Sequence, residues 1–179
     1  MSYHHLALAA KDMKAIHHFY EDIMGFELVK VEVAPIPGGG WGKHFFYRIN
    51  SDDSNFIAFW ELRDVPGQEN HIYDLNEGAN LPAGTNHYSF SVDSAEELDA
   101  WRSKWMAAGL GVLEIDHNWC HSVYTRDPNG NLVEFCLTTG VFTAKDREHA
   151  FAMMNETEFK PSPAPAKFAI HPAQTAEGG

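Results

Sequence analysis

The stretch IDHNWCHSVYTRDPNGNLVEFCLTT, residues Ile115 to Thr139, gathers side chains that can move protons and hold ions. His117 carries an imidazole, which titrates near neutrality. Tyr124 offers a hydroxyl on a strand. Glu134 is a lone carboxylate between Val133 and Phe135, and a carboxylate in an apolar strand needs a partner. Two more histidines open alternating segments, His5-Leu-Ala-Leu-Ala and His87-Tyr-Ser-Phe-Ser. Strand side chains alternate, so His5 shares a face with Ala7 and Ala9, and His87 with Ser89 and Ser91. Small neighbours leave room above each imidazole. Leu132, Glu134 and Cys136 share a face in the same way. Two imidazoles and a carboxylate can hold a divalent ion and leave positions open for substrate and oxygen. Taken singly, each residue has a plainer reading: His5 as a terminal strand residue, His87 as a loop-edge residue, Glu134 as a partner for Arg126.

The elements that must carry these residues occur twice. Each histidine strand ends at a helix N-cap, Asp12 or Ser94, and Glu97 stands where it completes a capping box with Ser94. MKAIHHFYEDIM and AEELDAWRSKWMAA follow as helices, the first with Ile16, Phe19, Tyr20 and Ile23 as its apolar stripe, the second with Leu98, Trp101 and Trp105. Gly25 and Gly109 stop them. Strands are predicted near 26–33, 43–50 and 55–62, then near 111–115, 119–126 and 132–138. The chain therefore reads as βαβββ twice, an α+β fold. Residues 1–65 form the first module, 66–85 a linker rich in Gly, Pro and Asn, and 86–140 the second module. Residues 141–179 hold a helix near 145–154 and a tail, PSPAPAK through Gly178-Gly179, too rich in proline for regular structure.

Composition limits the partners. The 179 residues carry a formal charge of −12, which argues against nucleic acid or an anionic membrane surface. No apolar run approaches the roughly 20 residues of a membrane span, and the N-terminus does not read as a secretory leader. Cys120 and Cys136 fit neither a zinc motif nor a disulfide scaffold, so a cytoplasmic setting is expected.

With these features in view, residues 1 to 140 resemble the vicinal oxygen chelate superfamily, which includes glyoxalase I, bleomycin- and fosfomycin-resistance proteins and type I extradiol dioxygenases. The resemblance implies two half-barrel sheets around a metal, with His5, His87 and Glu134 as ligands. Ile115, His117, Val123-Tyr124, Asp127-Pro128, Gly130 and Glu134 look like the extradiol ring-cleavage signature. That implies Tyr124 hydrogen-bonding a phenolate and His117 serving as proton donor. The implied function is an Fe(II) dioxygenase acting on a catecholic substrate with O2, with Ni(II), Zn(II) or Mn(II) as other metals. A homodimer is implied too. Asn55 stands where this branch carries a base histidine, and His44 or His71 is a substitute by proximity in sequence. Glu61 lies near the position of a fourth ligand in glyoxalase I, which keeps a lyase or isomerase as the alternative. A sequestering protein of the drug-resistance kind is the other.

Overall fold

The computed structural model describes residues 3–174. The closing Gly178-Gly179 lies outside the described residues. The chain forms two compact units, Met1–Tyr88 with Arg126–Val133, and Ser89–Thr125 with Glu134–Gly179. No described helix is long and apolar enough to cross a membrane.

The first unit is built on a sheet of β1 (His5–Ala9), β4 (Phe56–Arg63), β3 (Trp41–Arg48) and β2 (Glu27–Pro35), in that order. β1 runs parallel to β4, and the other pairs are antiparallel. Asp12 caps helix α1 (Met13–His17) by accepting from the Lys14 and Ala15 amides. The predicted helix then widens into a π-helical turn, His18–Ile23. The wider turn accommodates an extra residue, so Ile16, Phe19, Tyr20 and Met24 are buried and Ile23 is only half-buried. Tyr20 packs on Phe59, ring centroids 4.6 Å apart. Tyr88 donates to Asp127 at 2.7 Å, and the Tyr20 hydroxyl sits against the Tyr88 hydroxyl and 3.1 Å from the same carboxylate oxygen. Asp127 also accepts from the Asn129 and Asn131 amides. Gly130 takes φ +94°, as the DPNG turn requires. The stretch read as linker contains a short helix, α2 (Leu75–Gly78), capped by Asp74.

The second sheet has the order β5 (His87–Ser91), β8 (Leu132–Thr138), β7 (Cys120–Arg126), β6 (Val112–Asp116), β9 (Lys167–His171). Helix α3 (Ala95–Ala107) buries Leu98 and Trp105 and stacks Trp101 on Phe135 at 4.1 Å. Ser94 caps it by accepting from the Glu97 amide. The reciprocal bond of the expected capping box is displaced: Glu97 accepts from the Asp93 amide. Helix α4 (Ala144–Met154) follows, with a complete capping box from Thr143 and Asp146.

The tail departs from the irregular structure expected of it. The prolines at 161, 163 and 165 precede Lys167 and Pro172 follows His171, and between them KFAIH pairs with β6 as β9. One carboxylate holds both ends of that strand. Glu114, 1% exposed, accepts from Lys167 at 2.6 Å and from His171 at 2.7 Å. His121 and Arg102 complete its shell, at 2.7 and 3.3 Å. Burial alone would raise the pKa of Glu114. The bonds from Lys167, His171 and His121 outweigh it and bring the group down to about 2.

Candidate functional site

The question posed by Glu134 is answered within β7 and β8. Glu134 is 5% exposed. The Tyr124 hydroxyl lies 2.9 Å from His117 Nε2, the donor being set by the tautomer of the ring. Glu134 is close enough for its charge to act on that hydroxyl. Imidazole and phenol, so placed, can exchange a proton without rotating a side chain. Burial, with the Glu134 charge adding to it, holds the Tyr124 hydroxyl protonated far above the usual tyrosine range. Cys120 and Ser122 lie on the same strand face of β7. The Cys120 thiol is pushed up to about 12 by burial and by Cys136. Both cysteines are free.

The first unit contributes a face of its own. Register places His5, Ala7 and Ala9 beside Phe56, Ala58 and Trp60, with His44 across from Trp60. His5 and Ala7 are exposed, so the room expected above the imidazole is present. His4 and His5 meet through their Nδ1 atoms at 2.8 Å, which orients the His5 ring as a neighbouring partner does for a ligating imidazole. His44 stacks on Trp60 at 4.1 Å and lies 6.2 Å from His5, centroid to centroid. It is 7% exposed, and its buried Nε2 has no hydrogen-bond partner. Burial lowers its pKa and favours the neutral ring. An orphaned imidazole nitrogen next to a second imidazole fits a divalent ion or its ligand. Sequence reasoning offered His44 only as a residue nearby. Its alternation with Phe46 on β3 was the available signal.

Glu61 is on the other face. It pairs across the sheet with Lys43, whose Nζ is 3.6 Å away, and it also bonds Arg63. Trp60, the residue before Glu61, lies on the same face as His5, paired with Ala9. Asn55 donates to Ser54 and caps the approach to β4. His71 is exposed, in edge contact with Tyr73. His87 is exposed at the start of β5, with Nδ1 3.0 Å from the Gly84 carbonyl. Arg126 pairs with Asp74 at 3.4 Å. Among the described residues, no three His, Cys, Asp or Glu side chains are grouped as a metal centre. The structure brings together His117, Tyr124 and Glu134 in one set, and His5 with His44 in another.

Comparison with known proteins gives a consistent placement. A family model described as the Glyoxalase/Bleomycin resistance protein/Dioxygenase superfamily matches residues 2–135. Solved structures with the same fold include a glyoxylase/bleomycin resistance protein/dioxygenase domain from Frankia sp. EAN1pec, at 18% identity and TM-score 0.59, covering 77% of this chain and 98% of that one. The fosfomycin resistance protein FosX from Listeria monocytogenes matches at 20% identity and TM-score 0.53, covering 82% and 98%. Lactoylglutathione lyase from Agrobacterium tumefaciens matches at 27% identity and TM-score 0.50, covering 76% and 92%. Among curated proteins, none matches by sequence.

Proposed function

We propose that this chain, which belongs to the Glyoxalase/Bleomycin resistance protein/Dioxygenase superfamily, is a metal-dependent dioxygenase of the extradiol type that opens a catecholic ring with O2. The observation that carries this reading is the hydrogen bond between His117 and Tyr124, with Glu134 close enough for its charge to act on the Tyr124 hydroxyl. Tyr124 and His117 are the two signature residues that distinguish the ring-cleaving branch, and they act here as one unit.

His5, His87 and Glu134 would hold the ion, with Fe(II) the first choice and Ni(II), Zn(II) or Mn(II) the others that such donors accept. When bound, the ion supplies Lewis acidity and, as iron, electron transfer between substrate and O2. The chain's own residues manage the protons. The Tyr124 hydroxyl stays protonated and offers a hydrogen bond to a phenolate oxygen. His117, within hydrogen-bond reach of Tyr124, gives up or takes the proton that ring opening requires. His44, neutral and unpartnered, takes the part of polar contact on the His5 face that Asn55 cannot supply as a base. Modules of this kind pair across a homodimer, and we propose that the three ligands meet in that assembly. The free thiols suit a reducing cytoplasm.

A second reading has one specific support, the 27% identity to a lactoylglutathione lyase. It would use Ni(II) or Zn(II) and a fourth ligand carboxylate. Glu61, the candidate for that role, is paired with Lys43 and Arg63 on the face away from His5. A sequestering protein without metal is the third. Anaerobic reconstitution with Fe(II), followed by metal analysis and parallel assays on a catechol panel and the methylglyoxal–glutathione adduct, separates all three. Metal uptake with turnover of a catechol supports the dioxygenase. Turnover of the adduct alone replaces it with the lyase, and failure to take up metal points to the binding protein.

A further inference from the structure

The family match ends at residue 135, yet the chain goes on to extend the sheet that carries Glu134. β9 pairs antiparallel with β6, from Lys167 opposite Asp116 to His171 opposite Val112. Residues paired across a sheet share a face. Leu113 stands opposite Tyr124 on one side and Ile170 on the other. Ile115 stands opposite Ser122 and Phe168. The face that presents Tyr124 therefore continues over Leu113 and Ile115 to Ile170 and Phe168. Glu114 and Asp116 alternate to the opposite face, so no charge interrupts it on β6.

The outer end of this face is apolar and open. Phe168 is 64% exposed and Ile170 is 74% exposed. Their exposure does not come from a loose tail. The other face of β9 is tied down by Lys167 and His171 on Glu114, and the ends are held by the Ala166 amide on Asp116 and the Gln174 amide on Met106. Large apolar side chains held open on an anchored strand mark a binding surface. Continuity with Tyr124 makes a small-molecule substrate the occupant.

We infer that Phe168 and Ile170 form an apolar wall of the substrate site and that the substrate is a catecholic ring bearing an apolar arm. The ring's chemistry rests on the dioxygenase reading above, and the wall rests on the strand register. Neighbouring strands are about 4.8 Å apart, so Ile170, two strands from Tyr124, lies at roughly 10 Å along the sheet. A bare ring beside Tyr124 stops short of it. An arm the size of a second ring reaches it across Leu113.

The test uses the full chain and the double variant Phe168→Ser/Ile170→Ser, with one catechol carrying a phenyl substituent and one carrying a methyl. Turnover of the iron-loaded protein and calorimetric binding to the zinc-loaded protein are both measured. The variant should raise KM and weaken binding for the phenyl compound by about tenfold or more. Values for the methyl compound, metal content and oligomeric mass should stay unchanged. Phe168→Leu/Ile170→Leu should restore most of the difference. Equal effects on both catechols, no effect on either, or a change confined to oligomeric mass would each overturn the wall. If the wild type turns over neither catechol, the dioxygenase reading fails, and the zinc-protein binding difference still decides the wall.

Discussion

Glu134 acts on the Tyr124 hydroxyl from within an apolar strand, where a carboxylate needs polar company. Tyr124→Phe removes that hydroxyl and little else. It should keep metal content and lower catechol turnover by about tenfold or more, since a charge-assisted bond is lost. Unchanged turnover in steady-state assays would remove Tyr124 from the chemistry. Glu61→Gln should leave metal content unchanged and activity within about twofold, because Glu61 serves half-exposed ion pairs of small worth. Loss of metal from that variant would instead restore the four-ligand lyase. At this scale the sequence was informative wherever alternation decided the outcome. It could assign a face to His5, His87 and Glu134, but not the cross-strand identity of a partner. Sequence alone leaves Tyr124 opposite either Glu134 or Val133, a matter of one residue in the DPNG loop, and the Asp127 amide bonding to the Asn131 carbonyl fixes that loop. His44 was harder still, since its significance lies in a stacked ring and an unbonded nitrogen.

β9 shows what element-level reading misses. Proline content argued correctly for an irregular start to the tail and said nothing about Lys167–His171, whose strand depends on a buried carboxylate 53 residues earlier in the chain. The first helix fails differently. Its cap and its glycine stop were legible, but the π-helical turn arises from tertiary demand, with Phe19 and Tyr20 both drawn inward. Glu114→Ala should leave Lys167 and Arg102 facing an empty, buried position. It should destabilise the second unit by about 3 kcal/mol or more, with faster amide exchange at 167–171 than in the wild type. Protection there equal to the wild type would show that backbone pairing alone holds β9. The pH dependence follows from the direction of the shift. Glu114 is depressed from 4.5 to about 2 in the folded chain. Its stabilisation is therefore complete above about pH 4.5 and is lost as pH falls toward 2, worth roughly 3 kcal/mol across that window. Acid titration of Glu114→Gln should lack this component, and a matching loss in that variant would assign it to other groups.

At the scale of the whole molecule, the doubled βαβββ order, the α+β class and the family could all be read from hydrophobic alternation, caps and glycine stops. The division into units could not, because residues 126–133 join the first unit through Asp127 and its bonds to Tyr20 and Tyr88. A charge of −12 disfavours anionic partners on electrostatic grounds. The homodimer should appear in light scattering as twice the chain mass of 20.1 kDa. A monomer that still binds metal would show that no second copy is needed for the ligand set. Ring opening by O2 is read from oxygen consumption. Protein loaded anaerobically with Fe(II) and mixed with a phenyl-substituted catechol in an oxygen-electrode cell should consume O2 in step with the loss of catechol and the rise of a ring-opened, visibly absorbing product. Loss of neither O2 nor catechol from an iron-loaded protein that converts the methylglyoxal–glutathione adduct would contradict the account.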